Sequence, residues 1–270
     1  MMQALRRSSK MYGAIAAMVP KLYLAYSIWF WMEFVVQILS MTIFVYFWKA
    51  VYANSATIAG LDLRQTLNYI LLAQILVPVV QNRTIFNFGF LVREGMVGIE
   101  LLRPMDFQTR YYVESLAGLA LSLVLKLPLL LIAWLVFGLT LPSAPAAWGA
   151  FALSLLLGQA ILFYFDWIFA CLAFYSTETW GLSVVREGMA LFFSGAILPL
   201  NMMPAWLQGV ANLLPFAQSL YVPVSFLSGI TPVSDAPRAW LVQLVWLVGL
   251  VIASRVVFSV SVRKVTVQGG

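Results

Sequence analysis

The chain has 270 residues, 63% hydrophobic and 10% charged, which excludes an ordinary soluble domain at roughly 45 to 50% apolar and about 25% charged. A mean hydropathy of +0.93 and long continuous apolar runs, not short alternating ones, define an all-α integral membrane protein instead of a barrel. The net charge of +6 is scattered among connections, so no nucleic acid partner is implied. No histidine and a single cysteine, Cys171, remove zinc sites, intrachain disulfides and histidine-based catalysis.

At the N-terminus, Arg6, Arg7 and Lys10 precede Met11, Ile15, Met18 and Leu22 at helical spacing. This predicts an interfacial amphipathic helix over residues 1–23 and not a signal peptide, because the apolar run is short and stops at Pro20-Lys21. Six spans follow, near residues 24–52, 67–90, 113–139, 148–175, 184–200 and 240–262, in one transmembrane domain. Twelve Lys and Arg side chains, Arg186 among them, fall on one side against Lys49, Arg64 and Arg238 on the other. The positive-inside rule then places both termini in the cytoplasm.

Span one carries Glu33 and Gln37 one turn apart on a single face, a polar spot in a translocation route or at a subunit seam. Span two runs into a charge-dense segment, residues 91–112, that breaks the greasy pattern. Within it Arg103-Pro104 ends a predicted short helix. Leu101 and Leu102 are apolar knobs, and Arg103 with the carboxylates of Glu94, Glu100 and Asp106 supplies orienting charges for a cleft in another protein; the alternative is a solvated loop. Lys126 in span three and Asp166 in span four are costly alone, which predicts a Lys126–Asp166 ion pair that fixes helix packing or serves a substrate path.

In span five, Phe192 and Phe193 line an apolar cavity or fill a core. The stretch 196–237 holds six prolines, Pro199, Pro204, Pro215, Pro223, Pro232 and Pro237, yet stays apolar. Proline-broken apolar half-helices predict re-entrant segments, as an outer gate or as an anchor in which Trp206 sits at the interface. No internal repeat is visible, and there is no Gly-Lys-Ser or Gly-Lys-Thr, so nucleotide energy has to come from a partner.

Arg93-Glu94-Gly95, then Leu101-Leu102-Arg103-Pro104, and after span five Leu198-Pro199-Leu200, Met203-Pro204-Ala205-Trp206-Leu207 and Leu214-Pro215-Phe216 give the chain its resemblance to an ABC-2 type permease. That resemblance covers nearly the whole chain and implies a type V exporter-like fold with no catalytic residues or resident metal. It makes Arg93, Glu94, Gly95, Glu100, Leu101, Leu102, Arg103, Pro104 and Asp106 the segment that couples to cytoplasmic ABC ATPase subunits, which carry ATP and Mg. It makes Leu198, Pro199, Met203, Pro204, Trp206 and Leu207 an extracellular gate above a pathway at the seam with a second permease, identical or paralogous, with membrane lipids around both. Glu33, Gln37, Phe192, Phe193 and Asn201 are the expected pathway residues. The implied function is export of a hydrophobic or amphipathic compound (a drug-like molecule, lipid or lipid-linked glycan) across a bacterial plasma membrane; a self-contained channel or secondary transporter is the alternative.

Overall fold

A computed structural model describes residues 11–21, 27–80, 84–176 and 179–264. Residues 11–21 form helix α1, so the expected interfacial helix is seen only over that stretch, with Arg6, Arg7, Lys10 and Leu22 outside the described residues. Helix α2, Ser27–Val51, buries Gln37, Met41, Val45 and Trp48. Those positions recur every three or four residues, the period of one helical face. The opposite face shows Val35, Leu39, Ile43 and Tyr46.

A tight antiparallel hairpin, β1 (Thr57–Ile58) paired with β2 (Leu61–Asp62), turns at Ala59-Gly60 with φ of 50° and 80°. Two successive left-handed residues give the turn a twist that matches the strands. The chain returns in α3 (Leu63–Val80), where residues 68–76 are buried without interruption. Residues 81–83 lie outside the described set, and α4, Thr84–Arg93, follows; together α3 and α4 occupy the expected second span. After the short α5, Val97–Leu101, come α6 (Phe107–Leu125) and α7 (Leu127–Phe137). Pro128 has no N–H for the Val124 carbonyl, so one long helix parts into two at Lys126.

Next come α8 (Pro145–Ala170) and α9 (Trp180–Phe193), the latter only 14 residues long. The proline-rich stretch folds into α10 (Ala205–Asn212), α11 (Phe216–Ser219) and α12 (Tyr221–Ser228), and α13 (Ala236–Ser261) closes the bundle. Four stretches are long and apolar enough to cross a membrane: Trp31–Asn54, Phe107–Phe137, Pro145–Phe174 and Val233–Lys264. The third has 61% of its apolar window buried and the others 17 to 22%. Helix α8 is therefore the axis of the bundle, and the other three present apolar sides outward.

Packing on α8 is close enough to need glycine. A Cβ at Gly158 would lie 2.6 Å from the Gln218 carbonyl oxygen and 2.8 Å from Ser219 Cα, so the α11 backbone lies directly on α8. Gly158 is about 20 Å along that helix from Pro145. Side-chain amides tie the remaining helices: Gln243 Nε2 donates to the carbonyls of Ser154 and Gln218, each at 2.9 Å. Gln108 Nε2 reaches Ser254 Oγ at 2.9 Å, and Gln159 Nε2 reaches Ser115 Oγ at 2.7 Å. In an apolar surrounding such bonds hold helices together where burial of hydrocarbon supplies little preference.

Candidate functional site

The charge-dense insert begins where α4 stops. Met96 N donates to Leu91 O at 3.0 Å and Gly95 N to Val92 O at 3.1 Å, the paired bonds of a Schellman turn, with Gly95 at φ +69°. Nothing lies within 4 Å of a Cβ built at Gly95, so glycine serves the left-handed backbone there and not a close approach. Helix α5 then runs one turn, Pro104 follows it, and Asp106 caps α6 by accepting from Thr109 N at 2.7 Å.

Roots and tip of the insert differ sharply. Val97 is buried and Leu101 half-buried in an aromatic cluster built from Phe88, Phe107 and Trp167, whose rings lie 5.3 to 5.8 Å apart. On the outside, Met96, Ile99 and Leu102 are 46%, 59% and 85% exposed. The two expected knobs therefore part: Leu101 anchors the insert, and Leu102 projects from it.

Two carboxylates fix the insert in place. Glu100 receives Arg103 at 2.8 Å and also bonds Arg110, which reaches Glu114 at 3.1 Å. Asp106 takes both terminal nitrogens of Arg255 in α13, at 2.7 and 2.9 Å. Burial alone would raise the Asp106 carboxyl, but the hydrogen bonds from Arg255 and Thr109 outweigh it and bring the pKa down to about 2. Among the described residues Glu94 pairs with its neighbour Arg93 alone, at 3.8 Å with both half-exposed, a contact that holds little. The insert is thus tied to α6 and α13 while Arg93, Glu94 and Arg103 surround an apolar tip.

The expected Lys126–Asp166 pair is not the one formed. Lys126 Nζ lies 2.7 Å from Glu33 Oε1 on α2. Asp166 is held by Arg186 of α9, Nε to Oδ1 at 2.5 Å and Nη2 to Oδ2 at 2.7 Å, both side chains essentially inaccessible. The flat guanidinium fork satisfies both carboxylate oxygens at once, which one ammonium does not. Arg186 reads in the sequence as a topological charge of a connection; α9 instead carries it against α8. With Glu187 it falls inside the expected span 184–200, and that position was the signal.

Gln37 is buried and faces α3, donating to the Gln74 carbonyl at 2.6 Å. Gln74 Oε1 accepts from Ser40 at 2.9 Å, and its amide donates to Ala196 O at 3.2 Å. Tyr69 OH donates to Gly195 O at 2.8 Å. These groups brace the chain where it leaves α9. Phe192 is exposed, while Phe193 packs into the core beside it, ring centroids 5.1 Å apart. Leu198, Met203 and Leu207 join Leu200, Ala211 and Ala217 in a small core, with Pro199 buried. Pro204 and Trp206 face outward, and Trp206 and Val210 of α10 form an exposed stripe with Leu213 just past its end. The Asn201 carbonyl oxygen accepts from Gln208 Nε2 at 3.1 Å.

Polar groups inside this bundle brace one helix against the next, and one rooted insert carries an apolar tip into the open: this is a polytopic, helical membrane protein. The chain belongs to the ABC-2 transporter family, whose model, described as ABC-2 family transporter protein, matches residues 21–269. It is a membrane-embedded permease, the transmembrane component of an ABC transporter, and its family works with ABC ATPase subunits. A search of curated proteins finds no match.

Proposed function

We propose that the chain is one of two permease subunits of an ATP-driven exporter in a bacterial plasma membrane, moving a hydrophobic or amphipathic compound outward. Six crossings, made by α2, α3–α4, α6–α7, α8, α9 and α13, leave both termini in the cytoplasm beside the insert. The second permease is identical or paralogous, and ATP and Mg stay on the cytoplasmic ATPases. Closure of those ATPases pushes the insert, and the push passes to α6 through Glu100–Arg110 and to α13 through Asp106–Arg255. The stretch 196–237 re-enters the outer leaflet, with α11 resting on Gly158 as its deepest support.

The observation that carries this reading is Leu102, 85% exposed beside Met96 and Ile99 on a turn that Val97 and Leu101 root in the aromatic cluster. A bare leucine at a rigid tip, ringed by Arg93, Glu94 and Arg103, has the chemistry of an anchor for a protein groove. Replacing Ile99 and Leu102 by Asp is expected to abolish co-purification with candidate ATPases co-expressed from the same genome, while the permease stays monodisperse. Glu94→Lys with Pro104→Ala weakens docking or leaves hydrolysis uncoupled from transport. Full transport by reconstituted vesicles holding these variants and no ATPase would replace the exporter with a self-contained channel or secondary transporter.

A further inference from the structure

Gln243 of α13 and Gln218 of α11 are joined by one bond, Gln243 Nε2 to the Gln218 carbonyl oxygen at 2.9 Å, and the same nitrogen donates to the Ser154 carbonyl of α8 at 2.9 Å. Two oxygens converging on Nε2 fix which way the Gln243 amide points, because the reversed amide would set oxygen against oxygen. Its Oε1 is therefore turned away from both carbonyls, and among the described residues nothing donates to it. Gln218 Oε1 is in the same condition. The two side chains are 0% and 6% exposed, and a buried acceptor without a donor is costly.

Ser154 supplies the complement. Its side chain is inaccessible, and Oγ accepts from Trp240 Nε1 at 3.0 Å. Ser225, Ser254 and Ser259 each turn their hydroxyl proton back to the carbonyl three residues earlier, at 2.8 to 2.9 Å. Among the described residues Ser154 makes no such bond, so its proton remains to be given. The junction of α8, α11 and α13 thus presents two acceptors and one donor, all of them neutral. Along α8 the next ionisable side chain, Asp166, is about 18 Å away, and on α13 Arg238 is exposed. Two uncharged oxygens do not replace the hydration shell of a metal cation. Water matches the set, with two protons for the two amides and a lone pair for the serine, about three bonds being usual for a buried water.

We infer that one internal water is bound at this junction, donating to Gln218 Oε1 and Gln243 Oε1 and accepting from Ser154 Oγ. The backbone of Gln218 rests on Gly158 of α8, and its side chain reaches α13 through the water. Bonds to a water re-form in many geometries, so α11 can shift on α8 without stranding a polar group. The assignment is independent of the exporter reading and holds for the permease alone. The test is a water-resolving map of the full chain in lipid nanodiscs, together with thermal midpoints of Gln218→Met, Ser154→Ala and the double variant. One peak within hydrogen-bond distance of all three atoms is expected. Gln218→Met keeps the length of the side chain and removes the acceptor, and it should lower the midpoint by a few degrees. The two single losses should sum to clearly more than the loss in the double variant, since both break bonds to the same water. No peak, or amides that meet each other directly, overturns the assignment. So does a raised midpoint in Gln218→Met, which removal of an unsatisfied acceptor would give, and so do strictly additive losses.

Discussion

Gly95 and Arg186 show how unequally single residues carry this fold. At Gly95 the cost of a side chain is purely that of a left-handed backbone, about 1 kcal/mol. Gly95→Ala should therefore speed hydrogen exchange across residues 91–103 about fivefold and leave the rest of the chain unchanged. Arg186→Gln strands the buried Asp166 carboxylate, for which a loss of about 3 to 5 kcal/mol is typical. The paired change Asp166→Leu with Arg186→Leu should unfold far closer to the natural chain on heating in detergent; a double variant as unstable as the single would refute the ion pair's structural role. The sequence showed that Asp166 needed a partner, because a lone charge in an apolar run is expensive wherever it points. It did not show which partner, because depth along separate helices follows from their tilt and packing, and Arg186 read as well for a loop as for a helix.

Among the elements, α11 depends on one glycine of its neighbour. Gly158→Ala drives a methyl into the backbone of Gln218 and Ser219, and overpacking of this kind costs about 1 to 3 kcal/mol. Gly209→Ala in α10, where nothing lies within 4 Å of the new methyl, is the matched control and should be neutral or mildly stabilising by up to about 1 kcal/mol. Equal thermal midpoints for both variants would mean that α11 does not rest on α8. Helices such as α2 and α13 were legible because an apolar run of membrane length leaves few alternatives. The short pieces α10, α11 and α12 are legible only as proline-broken half-helices, since α11 and α12 are placed by contacts with α8 and α3, and α10 by its contact with α11, which no local pattern encodes.

Across the whole molecule, the contact that matters most joins residues 149 positions apart: Asp106 at the insert and Arg255 in α13. Arg255→Gln is expected to leave ATPase docking intact and to lower transport per ATP hydrolysed, and the exchange Asp106→Arg with Arg255→Asp should restore part of it; undiminished coupling in the single variant would remove α13 from the transmission path. The Asp106 carboxyl is held at about 2, below its ordinary 3.8. Its contribution is then complete above about pH 3.8 and disappears as pH falls through 2. Exchange protection at the start of α6 should therefore not change between pH 7 and pH 5, whereas Asp106→Asn should lower it throughout that range. Arg255 read as a topological charge near the end of the chain, and only the fold reveals that it closes on the insert. The buried pair of α8 and α9 also constrains how the protein is made. Synthesis makes Asp166 before Arg186 exists, so the carboxyl of α8 lacks its guanidinium partner until α9 has been made. Helix α8 therefore cannot complete its packing before α9 arrives, which makes the two helices a single unit of assembly.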